Sequence, residues 1–222
     1  GGVGGRHDGL DARQDASLIR ATVATHRPPG PAYNAAMPLE RSLAPSFLLA
    51  MPGLDDPQFA RTAVLMCQHD GDGAMGVVLN RRTDVLLGEL LEQLGIEGAS
   101  REMKGRSVYW GGPVHVERGF VLHDDPRPWP STLRFGDFGL TSSREILHAM
   151  ARGEGPERYV VVIGHAGWGG EQLEAEIAQN AWLTVPATGS LVFDTEADAL
   201  WQAAAGQIGV DASRLAEYSG RA

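Results

Sequence analysis

One cysteine, Cys67, and one lysine, Lys104, are all that 222 residues hold of either type. A solitary cysteine excludes an internal disulfide and a zinc site built from several thiolates. With arginine supplying every basic residue except Lys104, a lysine-dependent phosphate loop or Schiff-base chemistry has nowhere else to reside. No run of about 18 apolar residues exists to cross a bilayer, and no charged-then-apolar leader ends in a small-residue cleavage site. No internal repeat, GxSxG elbow, GK[ST] phosphate loop, HExxH pair or helix-turn-helix is spelled anywhere. These absences predict a soluble, cytoplasmic protein with no membrane association.

The charge is equally restrictive. The formal net charge is −9, and because residues 1–36 carry four Arg and three Asp, residues 37–222 stand at −10. So acidic a domain has no bulk attraction for a phosphate backbone, which argues against direct contact with nucleic acid. At 43% hydrophobic residues the chain can bury one sizeable core. Residues 1–36, with six Gly, three Pro and no apolar period, read as a disordered tail, an expression remnant or an upstream extension. Met37 reads as a natural start, and residues 37–222 form one domain.

The chain is organised around Tyr159–Leu183, YVVVIGHAGWGGEQLEAEIAQNAWL. Tyr159 to Ile163 read as a buried strand; Gly164, Gly167, Gly169 and Gly170 then read as a sharp turn into a helix carrying Leu173 and Ile177. Earlier, strands are predicted at 46–51, 62–69 and 75–80, the last two joined by the hairpin DGDG. That hairpin resembles the opening of a calcium loop, but the position needing a bidentate carboxylate is Arg81. Asp84 is expected to cap a helix bearing Leu87, Leu90, Leu91 and Leu94, stopped by Gly95. A second glycine cluster, Gly111, Gly112 and Pro113, interrupts strands at 108–110 and 119–123. Short strands at 132–135 and 138–140 precede a helix with a Ser142–Glu145 capping box, ended by Gly153. Strands at 182–185 and 191–193 follow, then helices capped by Thr195 and Asp211. Early hairpins and later helices together predict a mixed α+β fold.

The spellings AMPGLDDPQFARTAV, GAMGVVLN, GGPVHVERGFVLH, LTSSREIL and GHAGWGGEQLEAEIAQNAWL, in this order, resemble the AlgH/YqgE family of small bacterial proteins. The resemblance implies a single α+β domain with a branched, mostly antiparallel sheet curled into a pseudo-barrel flanked by helices. It implies no assigned activity, since members are labelled uncharacterised proteins or transcriptional regulators. The chain departs from the family spelling at His165, where the turn usually has Tyr, at Gly170–Glu171, usually Pro-Gly, and at Arg82, usually Pro.

Candidate chemistry divides between reactive and structural readings. Cys67 and His69 share a strand face at a spacing of about 6.6 Å, so their side chains run parallel, and Cys67 reads as a small core residue. His69, His115, His123 and His165 lack metal-ligand spacing and read as structural, with no metal and no cofactor expected. Ser142 and Ser143 are accounted for as helix caps. In the turn, backbone amides of Gly169, Gly170 and Glu171 can hold an anion flanked by His165 and Trp168. The alternative is a tight crossover with Trp168 packed on the core. Arg118, in front of a buried strand, either binds a carboxylate ligand or pairs with an acidic side chain. The leading expectation is a non-catalytic module that binds a partner protein or small ligand at its glycine-rich turns, through Gly111, Gly112, Arg118, His165, Trp168, Gly169 and Gly170. The alternatives are an enzyme whose site forms around His165, Arg118 and Asp56 only in three dimensions, and a transcriptional regulator acting without touching DNA.

Overall fold

The computed structural model describes residues 42–54 and 56–210. The expectations for residues 1–36 and for the helix after Asp211 lie outside the described residues. Ten strands and six helices follow in the order β1 (Ser46–Ala50), β2 (Ala63–Asp70), β3 (Gly73–Val78), β4 (Arg82–Leu86), α1 (Leu87–Gln93), α2 (Arg101–Lys104), β5 (Ser107–Trp110), β6 (Val114–His123), β7 (Thr132–Phe135), β8 (Phe138–Thr141), α3 (Arg144–Ala151), β9 (Tyr159–Gly169), α4 (Gln172–Ala178), β10 (Trp182–Pro186), α5 (Gly189–Phe193) and α6 (Ala197–Gln207). Among the described residues no helix is long and apolar enough to cross a membrane.

The strands form one sheet in the order β10-β1-β2-β3-β9-β6-β8-β7, curled into a half-barrel, with β4 and β5 branching from β9. All pairings are antiparallel except β5 with β9. The fold is thus the branched, mostly antiparallel α+β architecture expected. The branch has a simple cause: one edge of β9 serves two partners in succession. Tyr109 and Trp110 of β5 pair with Val162 and Ile163, and from Ala166 to Gly169 the same edge pairs with β3.

Period-two alternation distributes the apolar residues over three cores, because successive strand side chains point to opposite faces. In β1, Phe47 and Leu49 enter the concave core, while Leu48 and Ala50 face outward beneath α4. Leu200 and Ala204 of α6 and Leu191 of α5 cover the concave core. On the convex side, α1, α2 and α3 pack Leu87, Met103 and Ile146 against Val108, Val121 and Val161. Each such fully buried aliphatic side chain contributes about 1.5–3 kcal/mol relative to exposure. Within β9 the alternation changes face at Gly164: Val162 belongs to the concave core, yet Ala166 and Trp168, of the same parity, belong to the α4 side. Gly164 has φ +73, the left-handed conformation that permits this change of face.

Several local expectations are corrected. The strand at Tyr159 does not stop at Ile163 but runs to Gly169, so its glycines lie inside a strand and the turn is confined to Gly170 and Glu171. Asp84 sits within β4, and α1 begins after Leu86. Residues 191–193 are helical: the Thr188 side chain accepts from Leu191 N (3.3 Å) and starts α5. The helix after Ser142 is preceded by Ser143, which makes no side-chain capping bond, and α6 follows Glu196, one residue beyond Thr195. The stops at Gly95 (φ +67) and Gly153 (φ +76) stand as expected.

Candidate functional site

The two glycine clusters meet, and what they approach is each other. Gly111 N donates to Ile163 O (2.7 Å) and Gly111 O accepts from Val78 N (2.8 Å). A Cβ on Gly111 would lie 2.3 Å from Gly164 O, one on Gly164 2.3 Å from Gly112 O, and one on Gly112 2.2 Å from the His165 carbonyl carbon. All are far inside van der Waals contact, so the β5 to β6 connection crosses β9 backbone to backbone.

This crossing gathers Gly111, Gly112, Arg118 and His165 at one place and leaves Trp168, Gly169 and Gly170 at the other end of β9. Gly169 lies four positions beyond His165, about 13 Å of strand. At that far end Trp168 is buried and its Nε1–H donates to Glu176 Oε2 (2.9 Å). Gly169 N donates to the Gln172 side-chain oxygen (3.1 Å), so an amide considered for anion binding is already engaged. Glu171 is left-handed (φ 63), and α4 behind it has only seven residues.

At the near end the β6–β9 ladder breaks. Val114 pairs with His165 and Gly119 with Ile163, so residues 115–118 of β6 stand opposite Gly164 alone and bulge away from the sheet. His115 turns with φ 49, and its ring stacks on His165 at 5.6 Å and 27°. Phe120 meets the His165 ring edge-on at 6.0 Å, and His115 Nδ1 lies 3.2 Å from Glu117 Oε1. Val116 is 56% exposed. Arg118 is exposed too, and among the described residues it makes no ion pair.

Burial, with the neighbouring His115 and Arg118 adding to it, pushes the His165 imidazole down from 6.5 to about 4. The ring is therefore neutral at physiological pH, and its Nδ1 is buried with no hydrogen-bond partner in the described structure. Because the unfolded imidazole holds its proton near pH 6.5 and the folded one does not, acid favours unfolding. The stability contributed by neutral His165 is fully present above about pH 6.5 and declines as pH falls toward about 4. An NMR titration of the imidazole protons should show His165 unprotonated at pH 5, and Arg118→Ala should raise its midpoint. A midpoint at 6 or above would refute this account of the bulge.

Two further buried histidines, His69 and His123, are occupied. His69 Nδ1 accepts from Leu43 N (3.2 Å), so Nε2 carries the proton donated to Glu174 Oε1 (2.8 Å). A bulge between Met66 and Gln68 puts Cys67 in the concave core and His69 on the α4 side, which overturns the expectation that the two share a face. Burial raises the Cys67 thiol far above its usual range, leaving it an inert core group. His123 Nδ1 accepts from Asp125 N (3.2 Å) and its Nε2 donates to Thr141 Oγ1 (2.9 Å); burial, with Arg134 adding to it, pushes this imidazole below its ordinary value. Asp56 accepts from Gln58 N (2.8 Å) and has Arg81 as its charged neighbour. Among the described residues no group of three His, Cys, Asp or Glu side chains is placed to hold a metal.

One polar centre escaped the sequence. Glu176 Oε2 accepts from the indoles of both Trp168 (2.9 Å) and Trp182 (2.7 Å), while Oε1 accepts from Gln172 Nε2 (3.0 Å). Phe59 lies 5.8–6.3 Å from Trp110, Trp168 and Trp182. The one trace of it in the sequence is the Gln172–Glu176 spacing, one helical turn.

A model of the AlgH-like family, DUF179, matches residues 47–213. A UPF0301 protein of Xanthomonas campestris is 51% identical over 185 residues, 83% of this chain and 98% of that protein. Another, from Stenotrophomonas maltophilia, is 54% identical over 180 residues, 81% of this chain and 96% of that protein. The solution structure of the AlgH protein from Pseudomonas aeruginosa superposes with a TM-score of 0.70 at 41% identity, over 79% of this chain and 94% of that one. A crystal structure of a Corynebacterium diphtheriae protein shares the fold at 21% identity, with a TM-score of 0.60 over 79% of this chain and 91% of that one. With the family model covering most of its length and these relatives matched nearly end to end, the chain belongs to the AlgH-like family.

Proposed function

We propose that the protein is a non-catalytic cytoplasmic binding module whose contact surface is the bulge at residues 115–118 and the His165 ring beneath it. One observation carries the reading: four consecutive residues leave the sheet at the backbone crossing and present an exposed Val116 beside an Arg118 with no ionic partner among the described residues. An exposed apolar residue next to a guanidinium that makes no ion pair, with Glu117 as a neighbouring carboxylate, suits a partner that brings an apolar contact and a carboxylate. His165, held neutral under the bulge, contributes no charge of its own, so Arg118 supplies the positive charge this surface offers a carboxylate. Catalysis is disfavoured because Asp56 is engaged beside Arg81 and the sole thiol is buried in the core. Influence on transcription through a bound protein is compatible with this surface; direct contact with duplex DNA is opposed by the net charge of −9.

The full chain, immobilised, should retain from cell extract a protein or small molecule that is lost with Val116→Asp and with Arg118→Glu. The same species should stay bound to Glu92→Lys, a substitution on the exposed side of α1. Retention indifferent to both bulge substitutions would remove the basis for the proposal.

A further inference from the structure

β7 is the last strand of the sheet, and beyond β8 it pairs with no other strand among the described residues. The hairpin register fixes which groups its outer edge presents. Phe135 pairs with Phe138 across the turn formed by Gly136 and Asp137, Leu133 pairs with Leu140, and Ser142 N donates to Ser131 O (3.1 Å). Bonded and non-bonded pairs alternate along an antiparallel ladder, so Ser131, Leu133 and Phe135 point their backbone groups at β8. Thr132 and Arg134 fall on the non-bonded pairs, where side chains come closer, in agreement with the 2.6 Å between the Thr132 and Thr141 hydroxyls. Their N–H and C=O groups therefore point away from β8, and no backbone bond engages them among the described residues.

The two faces of this edge differ in chemistry. Leu133 and Phe135 turn to the concave core, Phe135 buried and Leu133 partly so. On the other face Arg134 is exposed, and its Nη2 donates to Arg127 O (2.5 Å). The guanidinium keeps further N–H donors and makes no ion pair among the described residues. An open edge is a template for another strand, and a charge on it guards against a second copy of the same chain. Pairing β7 with itself about Arg134 sets two guanidinium groups opposite one another, and pairing about Thr132 sets Arg134 against Pro130, which has no N–H to give. The intermediate register, Thr132 against Arg134, leaves the two guanidinium groups as diagonal neighbours on one face. A strand that brings a carboxylate meets none of this opposition.

We propose that the β7 edge accepts an extended segment of another protein, running antiparallel to it, with a carboxylate side chain opposite Arg134 and an apolar one opposite Leu133. Thr132 and Arg134 each exchange two backbone hydrogen bonds with the added strand. The carboxylate meets the free donors of the guanidinium, and the apolar side chain extends the concave core past Leu133. Backbone pairing supplies the attachment and Arg134 the selection. The edge lies two strands away from β6, and the proposal does not rest on the bulge.

The test is an NMR titration of the full chain with the peptide acetyl-Thr-Val-Glu-Val-Thr-Val-amide, whose Glu and second Thr are spaced to face Arg134 and Thr132. Saturable amide shifts are expected at Thr132 and Arg134, with Kd about 1 mM for so short a strand. The same peptide with Lys in place of Glu should bind about tenfold more weakly. A peptide N-methylated at Glu, which cannot donate to Arg134 O, should also lose about tenfold. Arg134→Glu should reverse the preference between the Glu and Lys peptides. Arg134→Pro should abolish the shift at Thr132 while the Leu133 amide stays protected from exchange, because proline is tolerated where the N–H faces away from the ladder. Absence of saturable shifts at these amides, undiminished binding of the N-methylated peptide, or an unchanged preference in Arg134→Glu would each overturn the proposal. Self-association of the chain alone through the same amides would also overturn it, since the edge would then belong to a second copy.

Discussion

Gly164→Ala is expected to lower the melting temperature by about 6–20 °C, the consequence of roughly 3–5 kcal/mol lost in a chain of this size. Two independent costs combine there. The residue has φ +73, where a side chain adds about 1–2 kcal/mol. Its new Cβ would also stand 2.3 Å from the carbonyl oxygen of Gly112, a backbone atom that cannot rotate away. Relief requires the β5–β6 connection to lift off β9, breaking the Gly111 N to Ile163 O bond and loosening the support of His165.

Two companion substitutions take the costs apart. Gly95→Ala has the strain alone, with φ +67 and nothing within 4 Å, and should lose about 1–2 kcal/mol. Gly111→Ala has the collision alone: its Cβ would lie 2.3 Å from Gly164 O, and its backbone is not left-handed. Thermal unfolding by circular dichroism should rank Gly164→Ala and Gly111→Ala well below Gly95→Ala. If all three melt together, the crossing is loose enough to part and does not hold the bulge in place.

That crossing also shows which features a one-dimensional reading reaches. Tyr159–Ile163 is apolar and β-branched, and a strand follows from that alone. The glycines after it read locally as a turn, because glycine inside a strand usually marks a break or a close approach. Here the close approach is to Gly111 and Gly112, some 50 positions earlier, and no local spacing encodes it. The Gly-Ser-Leu-Val-Phe segment of α5 has β-forming residues, yet the Thr188 cap and the burial of Leu191 and Val192 make it a helix. One bulge after Met66 was enough to invert the face of His69 relative to Cys67. Of the residues named as candidates, Gly111, Gly112, Arg118 and His165 converge because the β5–β6 connection crosses β9. The Glu176 centre likewise draws Trp168 from β9, Gln172 from α4 and Trp182 from β10. Such an assembly leaves no motif, only scattered tryptophans and carboxamide and carboxylate side chains.

Glu176→Ala should destabilise the chain by about 2–4 kcal/mol, measured as a shift in the urea midpoint at unchanged m. The side chain serves three donors: the Trp168 and Trp182 indoles on Oε2 and the Gln172 amide on Oε1. Truncation takes the shared acceptor from both indoles, and Trp168, 7% exposed, lies where water cannot readily substitute. Glu176→Gln should cost only about 1 kcal/mol, because an amide oxygen in the Oε2 position still accepts from both indoles. Its NH₂ group then faces the Gln172 amide donor, and turning Gln172 around to accept would sacrifice the bond from Gly169 N. Trp168→Phe removes one donor together with its acceptor bond, so in that background Glu176→Ala should cost less than in the native chain. A double-mutant cycle with a coupling of about 1 kcal/mol or more is therefore expected. A cycle that closes to zero, with the alanine and glutamine variants equally stable, would mean that ring packing around Phe59 holds this end of β9 without help from the carboxylate.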